Sequence, residues 1–190
     1  MMLRFKAAYK HFIRICKHKH WVWYFGRRLG IGWQTFWHDT SKLSPIEFLE
    51  SVKYYKPGRS PIDVCKEING YSAAWLHHKG RNPHHYEYWQ DNFDNGGNPI
   101  PIPAKYLLEM LCDYLAAGVA YGGKTYTCND EYKWWLTKLE KPPVMHPDSI
   151  KFLSNIFDFL NTYFGSTPIT KINSASGSII KDKSVEMLKI

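Results

Sequence analysis

Ala104-Lys105-Tyr106-Leu107-Leu108-Glu109-Met110-Leu111-Cys112-Asp113-Tyr114-Leu115-Ala116-Ala117-Gly118-Val119-Ala120 reads as one clear helix, preceded by Pro103 and ended by Gly122-Gly123. Asp113 lies among apolar residues, and Glu109 falls one turn earlier on the same face. Charged groups in such surroundings are rarely buried unless paired or metal-bound. Working outward, helix signals dominate. Toward the N-terminus, residues 3–25 place Phe5, Ala8, Phe12, Ile15, Val22 and Phe25 near helical spacing. Gly26 and Gly30-Ile31-Gly32 break that pattern, and a short helix is expected over 33–37. Ser44-Pro45-Ile46-Glu47 is a helix start, with Ser as cap, Pro at the first helical position and Glu three residues after the cap. That helix is expected to end at Lys56-Pro57-Gly58. Pro61 opens a segment with Ile62, Cys65 and Ile68 on one face, and a further helix covers 73–78. Toward the C-terminus, helices fit 129–139 and 147–164. Strand signals are weak and no internal repeat is present, so the expected class is all-α.

Residues 91–103 hold Asn95-Gly96-Gly97-Asn98-Pro99 and read as a surface loop. From Ser166 onward Ser, Lys and Ile mix without periodicity. Residues 1–165 are therefore expected to form a single helical domain, with residues 166–190 as a peripheral tail. A hydrophobic content of 44% with 16% aromatics excludes a disordered chain. At 190 residues the fold can bury about 70% of the extended chain's surface. No apolar run reaches the roughly 18 residues of a membrane span. Arg14, Lys17 and Lys19 interrupt what a signal peptide would need as its apolar region, so a cytoplasmic address is expected. Cys16, Cys65, Cys112 and Cys128 include no CxxC pair, which excludes a zinc ribbon and leaves buried small apolar side chains as the simplest reading. The net charge of +8 points to a polyanionic partner, nucleic acid or a phosphorylated small molecule.

Histidine carries the chemistry. His38-Asp39 presents an imidazole nitrogen and a carboxylate oxygen, both suited to a divalent ion, and Lys42 three residues on falls on the same helical face. A lone His-Asp dipeptide also occurs as an ordinary polar pair at a helix end. His77, His78, His84 and His85 are harder to explain that way. Buried imidazoles need partners for two nitrogens each, and a metal satisfies one of them while keeping the ring neutral. The competing explanation is a basic nucleic-acid face, with Lys79 and Arg81 interleaved among Trp75, Tyr86, Tyr88 and Trp89. His18 falls beside Val22 and Phe25 and so faces inward. His11 and His146 receive no role.

The ordered set of His18, His38-Asp39 with Lys42, the histidine cluster and Asp113 resembles the HD-domain phosphohydrolases, all-helical enzymes whose H…HD…D pattern binds a divalent metal. Over about residues 15–120 the fuller motifs, HDxSK and RNxHHxxYW among them, look like a poorly characterised family of phage and bacterial proteins. The resemblance implies an HD-domain-like helical bundle in a bacterial or phage-infected cell. It also implies one or two divalent ions, with Mn, Fe, Zn, Ni, Co and Mg not distinguished. The ligands would come from His18, His38, Asp39, His78, His84, His85 and Asp113. The expected function is hydrolysis of a nucleotide, cyclic nucleotide or related phosphoester through metal-activated water. Lys42 and Arg81 would neutralise charge, and Glu47 would orient water or substrate, although its capping position alone explains a Glu there. The expected partner is a nucleotide-like small molecule, with nucleic acid and self-association left open. The alternative is a basic nucleic-acid- or protein-binding module with a structural or vestigial metal site.

Overall fold

The computed structural model describes residues 2–91, 94 and 96–188. Nine α-helices are present among them: α1 (Met2–Arg28), α2 (Gly32–Phe36), α3 (Pro45–Lys53), α4 (Pro61–Asn69), α5 (Ala73–Lys79), α6 (Ala104–Gly122), α7 (Cys128–Leu139), α8 (Pro147–Phe164) and α9 (Ser174–Met187). The all-α class holds. Residues that start and stop these helices do so for local reasons. Ser60, Ser72 and Asn173 accept from backbone N–H groups in the first turns of α4, α5 and α9. Thr127 and Asp130 form a reciprocal capping box on α7. Gly70, at φ +79°, ends α4 in the left-handed region where a side chain is disfavoured. The expected loop over 91–103 holds a two-residue antiparallel pair, β1 (Gln90–Asp91) with β2 (Asn98–Pro99). Asn92, Phe93 and Asn95 of that loop, and Lys189 and Ile190 of the tail, lie outside the described residues.

α1 and α6 pack together and form the spine. Val22 and Phe25 of α1 meet Leu111, Leu115 and Ala116 of α6 in a core completed by Trp135 of α7 and Leu153, Ile156, Phe157 and Leu160 of α8. The buried indole of Trp135 donates to Ser154 Oγ at 3.0 Å, so its one polar atom is satisfied. On the other side of α1, helices α3, α4 and α5 form a smaller layer around buried Val64, Cys65 and Ala74. The C-terminal segment departs from expectation. Residues 174–187 are helical, and Ile169, Ile172 and Ile180 are buried. Tyr24 of α1 donates to the Ile172 carbonyl at 2.9 Å, and Ile169 N–H donates to the Tyr126 carbonyl at 2.9 Å. α9 thus closes the bundle against α1 and α8 instead of trailing from it. Only Ile180 of these three isoleucines lies in α9, and their spacing reveals no helical stripe in the sequence. Cys16 also departs, being exposed, while the other three cysteines are buried.

Candidate metal centre

The chain leaves α2 at Phe36 and turns through Trp37, His38 and Asp39 into a 3-10 turn, Thr40–Leu43. Asp39 sits at φ 55°, the one positive φ outside glycine among the described residues. Asp and Asn tolerate that region better than other side chains. Two contacts fix the turn to α1. The Lys19 ammonium bonds the His38 carbonyl and lies 3.2 Å from Thr40 Oγ1. Behind it, α2 presses on α1 so closely that a Cβ at Gly26 would overlap the Thr35 hydroxyl. His38 and Asp39 are consequently only 2% and 1% exposed.

Asp39 stands between two groups of donors. On one side, His18, His38, Asp39 and Asp113 each offer an atom within 4.8 Å of the others. His38 Nε2 is 3.2 Å from Asp39 Oδ2 and 3.4 Å from Asp113 Oδ1, and His18 Nε2 is 3.7 and 2.8 Å from the same two oxygens. On the other side, Asp39 joins His78, His84 and His85. Asp39 Oδ1 lies 3.2 Å from His78 Nε2 and 3.3 Å from His84 Nε2. Nitrogen and oxygen donors about 2.1 Å from a common ion stand roughly 3.0–3.4 Å apart, so these spacings fit a divalent cation in each group. The Nε2 atoms of His18, His38, His78, His84 and His85, and both Asp39 oxygens, are buried without an aligned hydrogen bond. Lys42 also pairs with Asp39 Oδ2 and Asp113 Oδ1 faces His18 Nε2 at 2.8 Å, but the other atoms are costly to leave unmatched, and a cation in each group would satisfy them.

Carboxylates behind the rings set which nitrogen faces inward. Glu109 Oε1 lies 2.9 Å from His38 Nδ1 and 3.2 Å from His84 Nδ1. Glu47 Oε2 lies 2.8 Å from His78 Nδ1, and its other oxygen lies 2.6 Å from His77 Nδ1. The Nδ1–H then donates outward and the Nε2 lone pair points to the centre, an arrangement that also raises ligand basicity. Burial works against ionising the carboxyls, but the surrounding histidines prevail. Hydrogen bonds from His38 and His84 bring Glu109 down to about 2. Burial likewise opposes Asp39, yet His38, Lys42 and His78 hold it well below the usual carboxylate range. Lys42 pairs with Asp39 Oδ2. Burial disfavours its ammonium, while Asp39 and Asp113 more than compensate and keep it protonated.

All of these residues fall within residues 7–159, which match the DUF5662 family, described as a family of unknown function. The chain belongs to DUF5662. No curated protein and no solved structure matches it.

In this DUF5662 chain the seven expected ligand residues converge: Asp39 is shared, with His18, His38 and Asp113 on one side and His78, His84 and His85 on the other. Two of the expected catalytic residues, Arg81 and Glu47, are not placed to act on a substrate. Arg81 is exposed in the turn after α5; its backbone N–H bonds the His78 carbonyl at 3.1 Å, but no hydrogen bond or ion pair among the described residues joins its side chain to the cluster. Glu47 spends both oxygens on His77 and His78, so it orients ligands and is not a free base. Correspondingly Ser44, at the α3 cap position, makes no side-chain cap bond. Trp75 packs against the rings of His78 and His85, and Trp89 against Tyr106, so neither is a free stacking platform. Reading the sequence misses the partners of Glu109 and the role of His77. It also misses His11, which is 7% exposed and lines a cavity of about 220 Å³. That cavity reaches His18, Asp113 and Lys42 of the first group, together with Glu47, and touches none of His78, His84 and His85.

Proposed function

We propose that this chain is a metal-dependent phosphohydrolase acting on a small, nucleotide-like phosphoester in the cytoplasm. One observation carries the reading: each oxygen of buried Asp39 faces its own group of unmatched imidazole nitrogens, and a cavity opens on the first group beside Lys42. His18, His38, Asp39 and Asp113 would hold one divalent ion, and Asp39, His78, His84 and His85 a second. Such ions lower the pKa of water and polarise a phosphoryl oxygen. The chain's own groups supply the rest. Glu109 and Glu47 keep the imidazoles in one tautomer. Lys42, at the cavity wall, bonds a phosphoryl oxygen and offsets the charge that grows there as the bond to phosphorus forms. The oxygen of water bonds to phosphorus while the phosphorus–oxygen bond to the leaving group breaks, and the proton lost by water passes to the leaving oxygen, giving phosphate and an alcohol from a monoester or a phosphomonoester from a diester or cyclic ester.

The test joins elemental analysis of protein purified without a histidine tag to a metal-titrated assay on mononucleotides, dinucleotides and cyclic nucleotides. The expected metal content is about two equivalents. Asp39→Asn, which suits the left-handed backbone better than Ala, is expected to abolish turnover. Lys42→Met is expected to retain metal and lose about 10²–10³-fold in rate. Metal-independent, salt-sensitive binding of DNA or RNA with no hydrolysis of any phosphoester would replace this reading with that of a binding module.

A further inference from the structure

The cavity beside the first donor group has two unlike ends. Its inner end holds His18, Asp113 and Lys42. Its walls then follow α1 backward through Arg14 to His11 and α6 forward through Ala117 to Tyr121. With a rise of about 1.5 Å per residue, Arg14 lies about 6 Å and His11 about 10 Å along α1 from His18. Ala117 and Ala120, on the facing helix, leave the space open. The two carboxylates that line the cavity are engaged at the inner end, Asp113 with His18 and Glu47 with His77 and His78. The outer end has Arg14, His11, Ser51 and Ser60 and no carboxylate among its lining residues.

Arg14 is held in place without being used up. Its guanidinium donates to the Arg59 carbonyl at 2.8 Å, contacts the Tyr55 hydroxyl at 3.4 Å, and stands 5.0 Å from the Tyr55 ring centroid. Five N–H donors in a planar fork leave several for a ligand, and that fork suits carboxylate and phosphate. His11 is 7% exposed, packs against Phe48 and Tyr55, and has an Nδ1 without a partner. Burial, followed by the positive charges of Lys42 and Arg14, brings its imidazole down to about 4, so it is neutral at physiological pH. Lys42 is matched by Asp39 at the inner end, whereas the Arg14 guanidinium at the outer end, beside this neutral ring, faces no carboxylate among the lining residues. The volume limits the occupant. About 220 Å³ falls below the roughly 300–1,000 Å³ of sites for drug-sized ligands, a size that suits a small metabolite.

We propose that the outer half of this cavity is a subsite for a second oxyanion of the substrate, held by Arg14 with His11 beside it. The preferred substrates are then small organic phosphates bearing a carboxylate or second phosphate about 6–10 Å from the phosphorus that reacts. This rests on the phosphohydrolase reading and narrows its substrate class.

The experiment uses the Mn²⁺-loaded full chain and ω-phosphonooxy alkanoic acids of increasing length, each paired with the uncharged alkyl phosphate of equal length. A parallel bisphosphate series separates carboxylate from phosphate as the second anion. Calorimetric titration of the non-hydrolysable phosphonate diacids reads binding apart from turnover. The expected result is a preference of about 10- to 100-fold in kcat/KM for the diacid at one chain length. That ratio collapses in Arg14→Met and returns in part in Arg14→Lys, which keeps the charge but not the fork. Thermal melts of both variants establish that they fold, and the Lys variant serves should the Met variant unfold. Hydrolysis that is indifferent to the second anion, or a ratio unchanged in Arg14→Met, overturns the subsite and leaves the phosphohydrolase reading standing. Diacid binding that depends on Arg14, with no turnover of any ester, supports the subsite and overturns the hydrolase. A preference for uncharged nucleoside leaving groups over diacids also overturns the second oxyanion.

Discussion

Glu109 touches two histidines on opposite sides of Asp39, His38 and His84, and so links both donor groups through one buried carboxylate. Glu109→Gln keeps the shape but replaces an acceptor for two N–H donors by a weaker, uncharged amide. Metal affinity is expected to fall about 10- to 100-fold, read by competition with a chromogenic chelator. Glu131 is a second buried carboxylate, in α7, and it faces the opposite situation. It is 2% exposed, and its neighbour Gly118 packs so closely that a Cβ there would overlap the carboxylate. Burial, reinforced by the charge of Asp113 and opposed by a hydrogen bond from Tyr126, raises it to about 8. A raised carboxyl contributes stability that is complete below its unfolded pKa near 4.5 and is lost as pH rises through about 8. Melting temperatures measured from pH 5 to 9 are therefore expected to fall more steeply for the wild type than for Glu131→Gln, in which the side chain stays neutral.

At the scale of elements, α3 shows how one residue can leave a local motif for a distant one. Ser44 and Glu47 have the spacing of a capping box, but Glu47 points to α5 and bonds His77 and His78. The helix starts at Pro45 all the same, because the proline ring presets φ and its missing N–H is one of the first-turn donors that would have no intrahelical partner. α9 makes the converse point. Its one fully buried isoleucine, Ile180, is 1% exposed and belongs to the same core as Trp135 and Leu160. Ile180→Ala is expected to cost about 2–5 kcal/mol. For a domain of this size that lowers the melting temperature by about 4–20 °C, read by calorimetry. A change below about 1 °C would mean that the helix is only loosely applied.

Over the whole molecule the charge is unevenly placed. Residues 1–38 hold Arg4, Lys6, Lys10, Arg14, Lys17, Lys19, Arg27 and Arg28 and not one Asp or Glu, while residues 39–190 carry 17 cations against 17 anions. The excess of positive charge thus belongs to α1, whose residues His11, Arg14, Ile15 and His18 form one wall of the cavity. Fields of this kind raise the encounter rate of anions and are screened over about 10 Å at 0.1 M salt. kcat/KM for an anionic phosphoester is expected to fall several-fold between about 0.05 and 0.5 M salt, with kcat nearly constant. Lys6→Glu with Lys10→Glu should lower it at low salt, whereas Lys181→Glu with Lys183→Glu on α9 should change it little. Stopped-flow or steady-state assays across that salt range read the difference.

The helices before residue 166, the all-α class and the order of the candidate ligand residues follow from the sequence by itself. Caps, breaks and apolar spacing act within a few residues, and the order of His18, His38-Asp39, the histidine cluster and Asp113 is visible along one line of text. Which face of each helix meets which neighbour is a property of packing, and several roles depend on it alone. Glu109 and His38 lie 71 residues apart and meet because α2 and α6 both pack against α1. Packing also draws Glu47 from its cap to the histidines, leaves Arg81 in solvent, and brings His11 into the cavity wall. The burial of Ile180 likewise depends on the space that α1 and α8 leave between them, which no local pattern records.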